Sequence, residues 1–297
     1  MKRITFCILF LVSNGMVSSQ VLRSDWSELD LPESLREKSV RPKYIASNQF
    51  GDLYLLDDEN HWLAVIPGNG TAPRIAGGWG DEGELFSLPS DITASRGLDV
   101  LVCDNATHRI LRFDRKLNFV GDMYLPDLSN GSLKFPFRIA RNEFHEIMAA
   151  TWGAWEVNVL TENGRLINVI GDATYGDDRF SRIQDMEVGA DNELAIIDRG
   201  TRMFVLISRE GRLKRKVPLP PGDVTVVHPW RDRWFIISRG GGVYLLSTDE
   251  DSFNEVPIQT TSGREVSISD CTVLRDVLYV ADSLSGSILT AELKFLD

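Results

Sequence analysis

A repeat of about 45 residues is the feature of this sequence that most limits how the chain can fold. A short apolar segment that ends at a polar residue occurs six times, and successive copies are 47, 47, 47, 40 and 44 residues apart. The residues that end the six copies are Asp57, Asp104, Thr151, Asp198, Ser238 and Asp282. Between them lie β-branched and aromatic runs separated by turn residues, without the period of a helix. The pattern predicts an all-β fold, a six-bladed β-propeller built from four-stranded antiparallel blades.

The predicted blades make residues 20–297 a single domain. Their approximate ranges are 42–78, 89–125, 136–171, 183–218, 223–259 and 267–297. The last blade has room for only three strands. Because a propeller must cover its open sheet edges, we expect the segment 26–35 to supply the missing outer strand and close the ring.

The first 19 residues have the pattern of a signal peptide. Lys2 and Arg3 precede the apolar run Ile4–Val12, which is too short to span a bilayer, and small residues lead to a predicted cleavage after Ser19. An uncleaved anchor or a buried segment is the alternative. We therefore expect a secreted or periplasmic protein that is not an integral membrane protein after cleavage.

The net charge limits the classes of partner, and the number of cysteines limits the disulfides that can form. The net charge of −11 becomes about −13 without Lys2 and Arg3, which disfavours nucleic acid as a partner because no counterions would be released on binding. Only Cys103 and Cys271 follow the predicted cleavage site, so the chain is not a disulfide scaffold. Two buried thiols are the simpler interpretation, and a single disulfide is the other.

The second blade resembles an NHL repeat. The run GGWGDEGELFSLPSDITASRGLDVLVCDNATHRILRFD, Gly77–Asp114, contains the Gly-rich start, the Phe-x-x-Pro, the V-x-V-x-D strand and the H-R-I and F-D segments of that family. The other blades keep fewer of these residues, and the third and fifth have lost the aspartate. The resemblance implies a six-bladed propeller of a family that mostly binds proteins or other ligands, with a minority of related propellers acting as enzymes.

Several other sequence features do not support dinucleotide binding or nucleophilic catalysis. Gly78–Gly83 satisfies G-x-G-x-x-G, but a predicted strand follows it where a dinucleotide site needs a helix. His61 and His108 occupy the same position in successive blades and are interpreted as part of the repeat. No G-x-S-x-G segment is present, so the sequence offers no nucleophile in that setting.

The predicted innermost strands align on a Pro-x-x-Ile pattern whose third position is polar. Since strand alternation gives this position one orientation in every blade, its residues are expected to form a ring at the axis. The six residues are Tyr44, Asp91, Arg138, Asp185, Asp223 and Asp270. Four gathered carboxylates would repel one another, and a divalent cation or a cationic ligand held by the four aspartates would relieve this. Alternatively, each aspartate hydrogen-bonds the backbone where its own strand begins.

The third blade departs from the repeat at Thr151-Trp152-Gly153-Ala154-Trp155, where two tryptophans follow the second strand. Rigid amphipathic rings are typical binding anchors, so Trp152 and Trp155 are candidate ligand contacts. The alternative is that they fill gaps in a degenerate blade.

These features favour a recognition scaffold over an enzyme. The expected binding surface for a protein or small-molecule ligand is the axial mouth with the loops between blades. The alternative is a metal-assisted lyase or lactonase with its site at the axial channel.

Overall fold

The computed structural model describes residues 21–22, 26–94, 98–129, 131, 133–153, 155–171, 180–247, 250–256 and 265–295. Its strands form six four-stranded antiparallel sheets arranged in a ring, so the predicted six-bladed propeller is confirmed. The innermost strand of each blade contacts that of the next, and the sixth contacts the first. The predicted signal peptide lies outside the described residues and stays a prediction.

The first three blades follow one another along the chain. Blade 1 contains β3 (Tyr44–Ser47), β4 (Leu53–Asp57), β5 (Trp62–Ile66) and β6 (Arg74–Gly77). Blade 2 contains β7 (Pro89–Thr93), β8 (Asp99–Asp104), β9 (Arg109–Asp114) and β10 (Phe119–Tyr124), followed by the short helix α2 (Leu125–Leu128). Blade 3 contains β11 (Pro136–Arg141), β12 (Ile147–Thr151), β13 (Val157–Leu160) and β14 (Leu166–Ile170).

The other blades repeat this order and then close the ring. Blade 4 contains β15 (Ile183–Val188), β16 (Leu194–Asp198), β17 (Met203–Ile207) and β18 (Leu213–Pro218). Blade 5 contains β19 (Val224–Trp230), β20 (Arg233–Ser238), β21 (Val243–Leu246) and β22 (Asn254–Val256). Blade 6 contains β23 (Ile268–Leu274), β24 (Val277–Asp282), β25 (Ser287–Glu292) and the early strand β2 (Ser27–Glu28). The strand β1 (Val21–Leu22) pairs with β26 (Lys294–Phe295) in a separate two-stranded sheet.

The ring is closed by the N-terminal segment, as the sequence predicts, but by a shorter strand. Ser27 pairs with Thr290 and Glu28 with Leu289, which makes β2 the outer strand of blade 6. The predicted strand range 26–35 instead contains Pro32, after which Glu33–Glu37 form the helix α1. Proline lacks the N–H that a longer strand would donate, and it fits the start of a helix. The buried Leu35 of α1 packs between blades 6 and 1.

The hydrophobic cores lie between the blades, because strand alternation sends successive side chains to opposite neighbours. In β8, Val100 and Val102 pack against blade 1, whereas Leu101 and Cys103 pack against blade 3. Cys103 and Cys271 are both buried and unpaired, so the disulfide alternative is not formed, and burial raises the pKa of each thiol. Among the described residues, no helix is long and apolar enough to span a membrane.

The repeated aspartates of blades 1, 2, 4 and 6 tie these blades together at one end of the propeller. Carboxylate oxygens of Asp57, Asp104, Asp198 and Asp282 accept backbone N–H groups from the segments that lead into the innermost strands. We call the end with the turns between second and third strands the upper end, and the end with the turns between first and second strands the lower end. The innermost strands begin at the upper end, so the repeated aspartates support this rim.

Candidate functional site

The start of each innermost strand places one side chain near the axis at the upper end. In blades 2, 3, 4 and 6 a register shift in the first strand pair directly precedes this residue. The residues at this position in those blades are Asp91, Arg138, Asp185 and Asp270. Tyr44 pairs with Leu56 and takes the same position in blade 1.

Asp223 does not occupy the expected position in blade 5. The register shift there lies between Val224 and Val226, so the buried Val226 stands where the sequence alignment placed Asp223. Asp223 precedes the strand and instead forms salt bridges with Arg199 and Arg239. The alignment on Pro221 was wrong by three residues.

The number of residues between two positions of each blade indicates which residue of blade 5 lies at the axis. The axial residue and the residue that ends the second strand are 13 apart from Tyr44 to Asp57, and 12 apart from Asp270 to Asp282. From Asp223 to Ser238 the separation is 15, but from Val226 it is 12. A constant hairpin length is therefore a better guide to the ring than the preceding proline. The observed ring has three carboxylates, one guanidinium, one phenol and one valine.

The three axial carboxylates connect neighbouring blades. An oxygen of Asp91 accepts the N–H of Ile139 at 2.7 Å, across the boundary between blades 2 and 3. Asp185 accepts the N–H of Val227 in blade 5 at 2.8 Å, and Asp270 accepts the N–H of Ile45 in blade 1 at 2.7 Å. The expected bonds to each aspartate's own strand are thus supplemented by bonds to the next blade. Acidic and non-acidic residues alternate around the axis.

Arg138 supplies the positive charge of the ring. Its Nε lies 3.2 Å from Oδ1 of Asp185 and donates to the carbonyl oxygen of Gln184 at 2.9 Å. Its Nη1 donates to the carbonyl oxygens of Ser90 at 3.1 Å and Phe137 at 2.8 Å. These bonds come from blades 2, 3 and 4, so the guanidinium is fixed in one orientation.

The buried ring shifts the pKa of its carboxylates. Burial raises the pKa of Asp91 above its usual range, the Asp185 charge adds to the increase, and Arg138 opposes it. Burial likewise raises the pKa of Asp185 and of Asp270. Burial alone would lower the pKa of Arg138, but the neighbouring carboxylates raise it, so the guanidinium stays protonated.

An axial cavity of about 380 Å³ lies below the ring and extends to the lower end. Its lining includes Asp91, Asp185, Glu187, His228 and Asp270. Nε2 of His228 accepts the N–H of Val273 at 3.2 Å, and burial lowers the pKa of this histidine to about 4. Within the described part of the chain, no group of three or more His, Cys, Asp or Glu residues has the geometry to hold a metal ion. The structure therefore adds no support for a divalent cation at the four predicted aspartates.

The tryptophans of blade 3 lie at the upper end and differ in environment. Trp152 is 61% exposed, and its ring centroid lies 5.6 Å from that of Phe137 and 6.2 Å from that of Trp155. Trp155 is half-buried and packs against the core between blades 3 and 4. Its φ of 53° matches the 60° of His61 and the 59° of His108, which stand at the same turn position in their blades. Trp155 fills the blade, as the second interpretation expected, whereas Trp152 faces solvent and its role as a ligand contact stays a prediction.

A continuous series of ring contacts joins these tryptophans to the axis. The Cζ atom of Arg138 lies 5.7 Å from the Phe137 ring centroid and 5.6 Å from that of Tyr44, and Lys43 Nζ lies 5.6 Å from the Tyr44 centroid. We call this series the aromatic track. Its members, in spatial order, are Trp155, Trp152, Phe137, Arg138, Tyr44 and Lys43. Sequence reasoning identified four of the six and missed Phe137 and Lys43, although each directly precedes a predicted ring residue.

Comparisons with known proteins agree with the fold. The NHL repeat family model matches residues 86–113, within blade 2. No curated protein sequence matches the chain significantly.

Solved structures that resemble the chain are propeller proteins with different roles. A streptogramin B lyase has a TM-score of 0.60 and 14% identity, over 91% of this chain and 97% of that one. A virginiamycin B lyase from Staphylococcus aureus in complex with quinupristin has a TM-score of 0.60 and 14% identity, over 84% and 80%. YCF48 bound to D1 peptide has a TM-score of 0.60 and 10% identity, over 93% and 100%. Likeness at such identities shows the fold and not the activity. The chain is a six-bladed β-propeller that carries an NHL repeat in its second blade.

Proposed function

We propose that this chain is a recognition scaffold that binds an extended protein segment across the upper end of the propeller. The observation that carries the proposal is the aromatic track, which connects the exposed Trp152 to the axial mouth without a gap in ring contacts. A large exposed aromatic beside rigid neighbours is typical of a binding anchor.

The side chains in the middle of the aromatic track are fixed, whereas Trp152 and Lys43 toward its ends are exposed. Phe137 and Tyr44 are buried and Arg138 is held by three carbonyl groups, whereas Trp152 and Lys43 reach solvent. Side chains fixed in this way lose little further freedom when a ligand binds, so less of the contact energy is spent on ordering them. Such preorganisation suits recognition, and it needs no chemical step.

The scaffold is proposed to act outside the cytoplasm, in the secreted or periplasmic space. The basic, apolar and small-residue order of the first 19 residues supports this location. That a propeller of this fold can hold a peptide is consistent with YCF48, whose solved complex contains the D1 peptide.

Selection from a phage-displayed library of random 12-residue peptides tests the proposal. Wild-type protein is expected to enrich peptides whose affinity falls about tenfold or more in Trp152→Ala, as for a truncated anchor. Trp79→Ala is the matched control, since Trp79 is 76% exposed and outside the aromatic track. Failure to enrich any peptide, or equal losses in the two variants, would count against recognition at this surface.

A metal-assisted lyase or lactonase remains the alternative proposal, supported by the fold shared with streptogramin lyases. Hydrolysis or elimination of a panel of cyclic esters, with and without divalent metal, separates the two. Turnover that needs metal and disappears in Asp185→Asn would favour the enzyme.

A further inference from the structure

A second feature of the upper end is a groove of about 470 Å³ between blades 4 and 5. Arg199 and Arg202 line it, together with Gly222 and Asp223. Nη2 of Arg199 lies 2.9 Å from Oδ1 of Asp223, and Nε of Arg239 lies 2.9 Å from Oδ2 of the same carboxylate. Two guanidiniums therefore share one carboxylate.

The groove has a positive charge in a chain whose net charge is −11. Arg199 and Arg202 line the groove, and Arg239 pairs with the Asp223 carboxylate that also lines it. The neighbouring carboxylate of Asp198 is buried and accepts the N–H groups of Arg182 and Gly200. Arg202 is held at the groove by the carbonyl oxygens of Pro220 and Gly222, which accept at 2.9 and 3.3 Å. Because a guanidinium has five N–H donors, Arg199 and Arg239 retain donors after binding Asp223.

Hydrogen bonds to the segment that starts blade 4 connect this groove with the aromatic track. Arg138, at the centre of the track, donates to the carbonyl oxygen of Gln184 at the start of blade 4. Two residues earlier, the carbonyl oxygen of Arg182 accepts the N–H of Arg199 at 2.9 Å. The groove and the track therefore lie at the same end of the propeller, in adjoining blades.

We infer that the segment bound by this propeller has acidic residues on one side of the part that contacts Trp152. Its carboxylates bind Arg199 and Arg239 at the groove. The inference rests on the proposed function and adds the chemistry of the partner. Guanidiniums suit carboxylates through paired N–H donors, and the two here are already oriented by Asp223. The negative charge of the remaining chain disfavours a polyanion as long and dense as nucleic acid.

Fluorescence anisotropy with labelled hexaglutamate tests the groove at low ionic strength, with labelled hexaglutamine as the uncharged control. Wild-type protein is expected to bind hexaglutamate only, and Arg199→Ala/Arg239→Ala to bind it about tenfold more weakly. Asp223→Asn removes the competing charge but keeps an amide oxygen that can accept a guanidinium N–H. It is therefore expected to strengthen binding, a gain that damage to the fold would not produce.

The matched control is Arg209→Ala/Arg231→Ala. It removes two arginines that pair with Glu146 and Asp276 on lower-end turns, so the net charge changes equally. Equal weakening in the two double variants, no discrimination between the peptides, or tighter binding of labelled hexathymidylate would each overturn the inference. These outcomes are independent of the phage selection: enriched peptides without Asp or Glu would leave the recognition surface intact and refute only its acidic preference.

Discussion

At the scale of single residues, acidic and non-acidic side chains alternate around the axis. Blades 2, 4 and 6 contribute Asp91, Asp185 and Asp270, and the blades between them contribute Tyr44, Arg138 and Val226. Each carboxylate thus has non-acidic neighbours, and each also binds a backbone N–H of the following blade. The alternation limits repulsion that four or more adjacent acids would produce.

Val226→Asp tests this account by placing the fourth carboxylate where the sequence alignment expected one. Val226 is 1% exposed and belongs to the core between blades 5 and 6, so a charge there has no partner. The free energy of unfolding is expected to fall by about 3–5 kcal/mol, measured by urea denaturation. Asp223→Asn, at the surface, should change it by less than about 1 kcal/mol. A variant as stable as wild type would contradict the burial of Val226 between blades 5 and 6.

At the scale of elements, closure of the ring depends on one short strand and on buried apolar side chains of the N-terminal segment. The outer strand β2 has only two residues, and a backbone bond joins the Leu29 N–H to the carbonyl oxygen of Ile288. The hydroxyl groups of Ser27 and Thr290 also hydrogen-bond across this strand pair. Trp26, directly before β2, is 7% exposed and packs in the core between blades 5 and 6. Burial of this indole, together with that of Leu35 in α1, therefore adds to the strand pairing that holds the closing segment.

Trp26→Ala is expected to lower the free energy of unfolding by about 3–5 kcal/mol, as truncation of a buried aromatic does. Deletion of residues 20–36 should cost at least as much, because it also exposes the edge of β25. Differential scanning calorimetry measures both, with Trp79→Ala as the exposed-tryptophan control. Unchanged melting after the deletion would show that the N-terminal segment does not close the ring.

The strands also show how much of the structure could be predicted from the sequence. The repeat predicted the six blades and their closure because strand patterning is local and recurs. The fifth blade was misaligned because Pro221 imitates the start of a strand that begins at Val224. The aromatic track was only partly foreseen, since the approach of Phe137 to Trp152 and of Arg138 to Tyr44 depends on how strands and blades pack, which no single repeat encodes.

At the scale of the whole molecule, the ring and the interblade cores tie every blade to its neighbours. Each of the six hydrophobic clusters combines residues of two adjacent blades. The buried axial carboxylates act on this closed ring together, so their protonation affects the stability of the entire propeller.

Stability is therefore expected to fall as the pH rises from about 5 to 8. The folded-state pKa values of Asp91, Asp185 and Asp270 are raised above the ordinary value, which is about 4. In this range the folded chain keeps protons that the unfolded chain has released, so the free energy of unfolding decreases with pH. His228, with its pKa lowered to about 4, acts in the opposite sense below about pH 6.5, but it is one group against three.

Melting temperatures measured across that range check the sign, and Asp91→Asn/Asp185→Asn provides the comparison. Asparagine does not ionise but can still accept the N–H groups of Ile139 and Val227, so the dependence on pH should become shallower. Below about pH 4 carboxylates with a lowered pKa act in the opposite sense. At Asp52 burial alone would raise the pKa, but hydrogen bonds from Arg115 and Asn48 lower it to about 2. A melting temperature that rises steadily from pH 5 to 8 would refute the role given to the ring.

The alternation at the axis has a consequence for how such a propeller can change size. An acidic axial residue recurs in every second blade, about every 90 residues, although the fold itself repeats with every blade. A version with five or seven blades could not keep the order of acid and non-acid around the circle, and it would bring two like positions side by side. Lineages or designs that preserve this axis should therefore gain or lose blades in pairs.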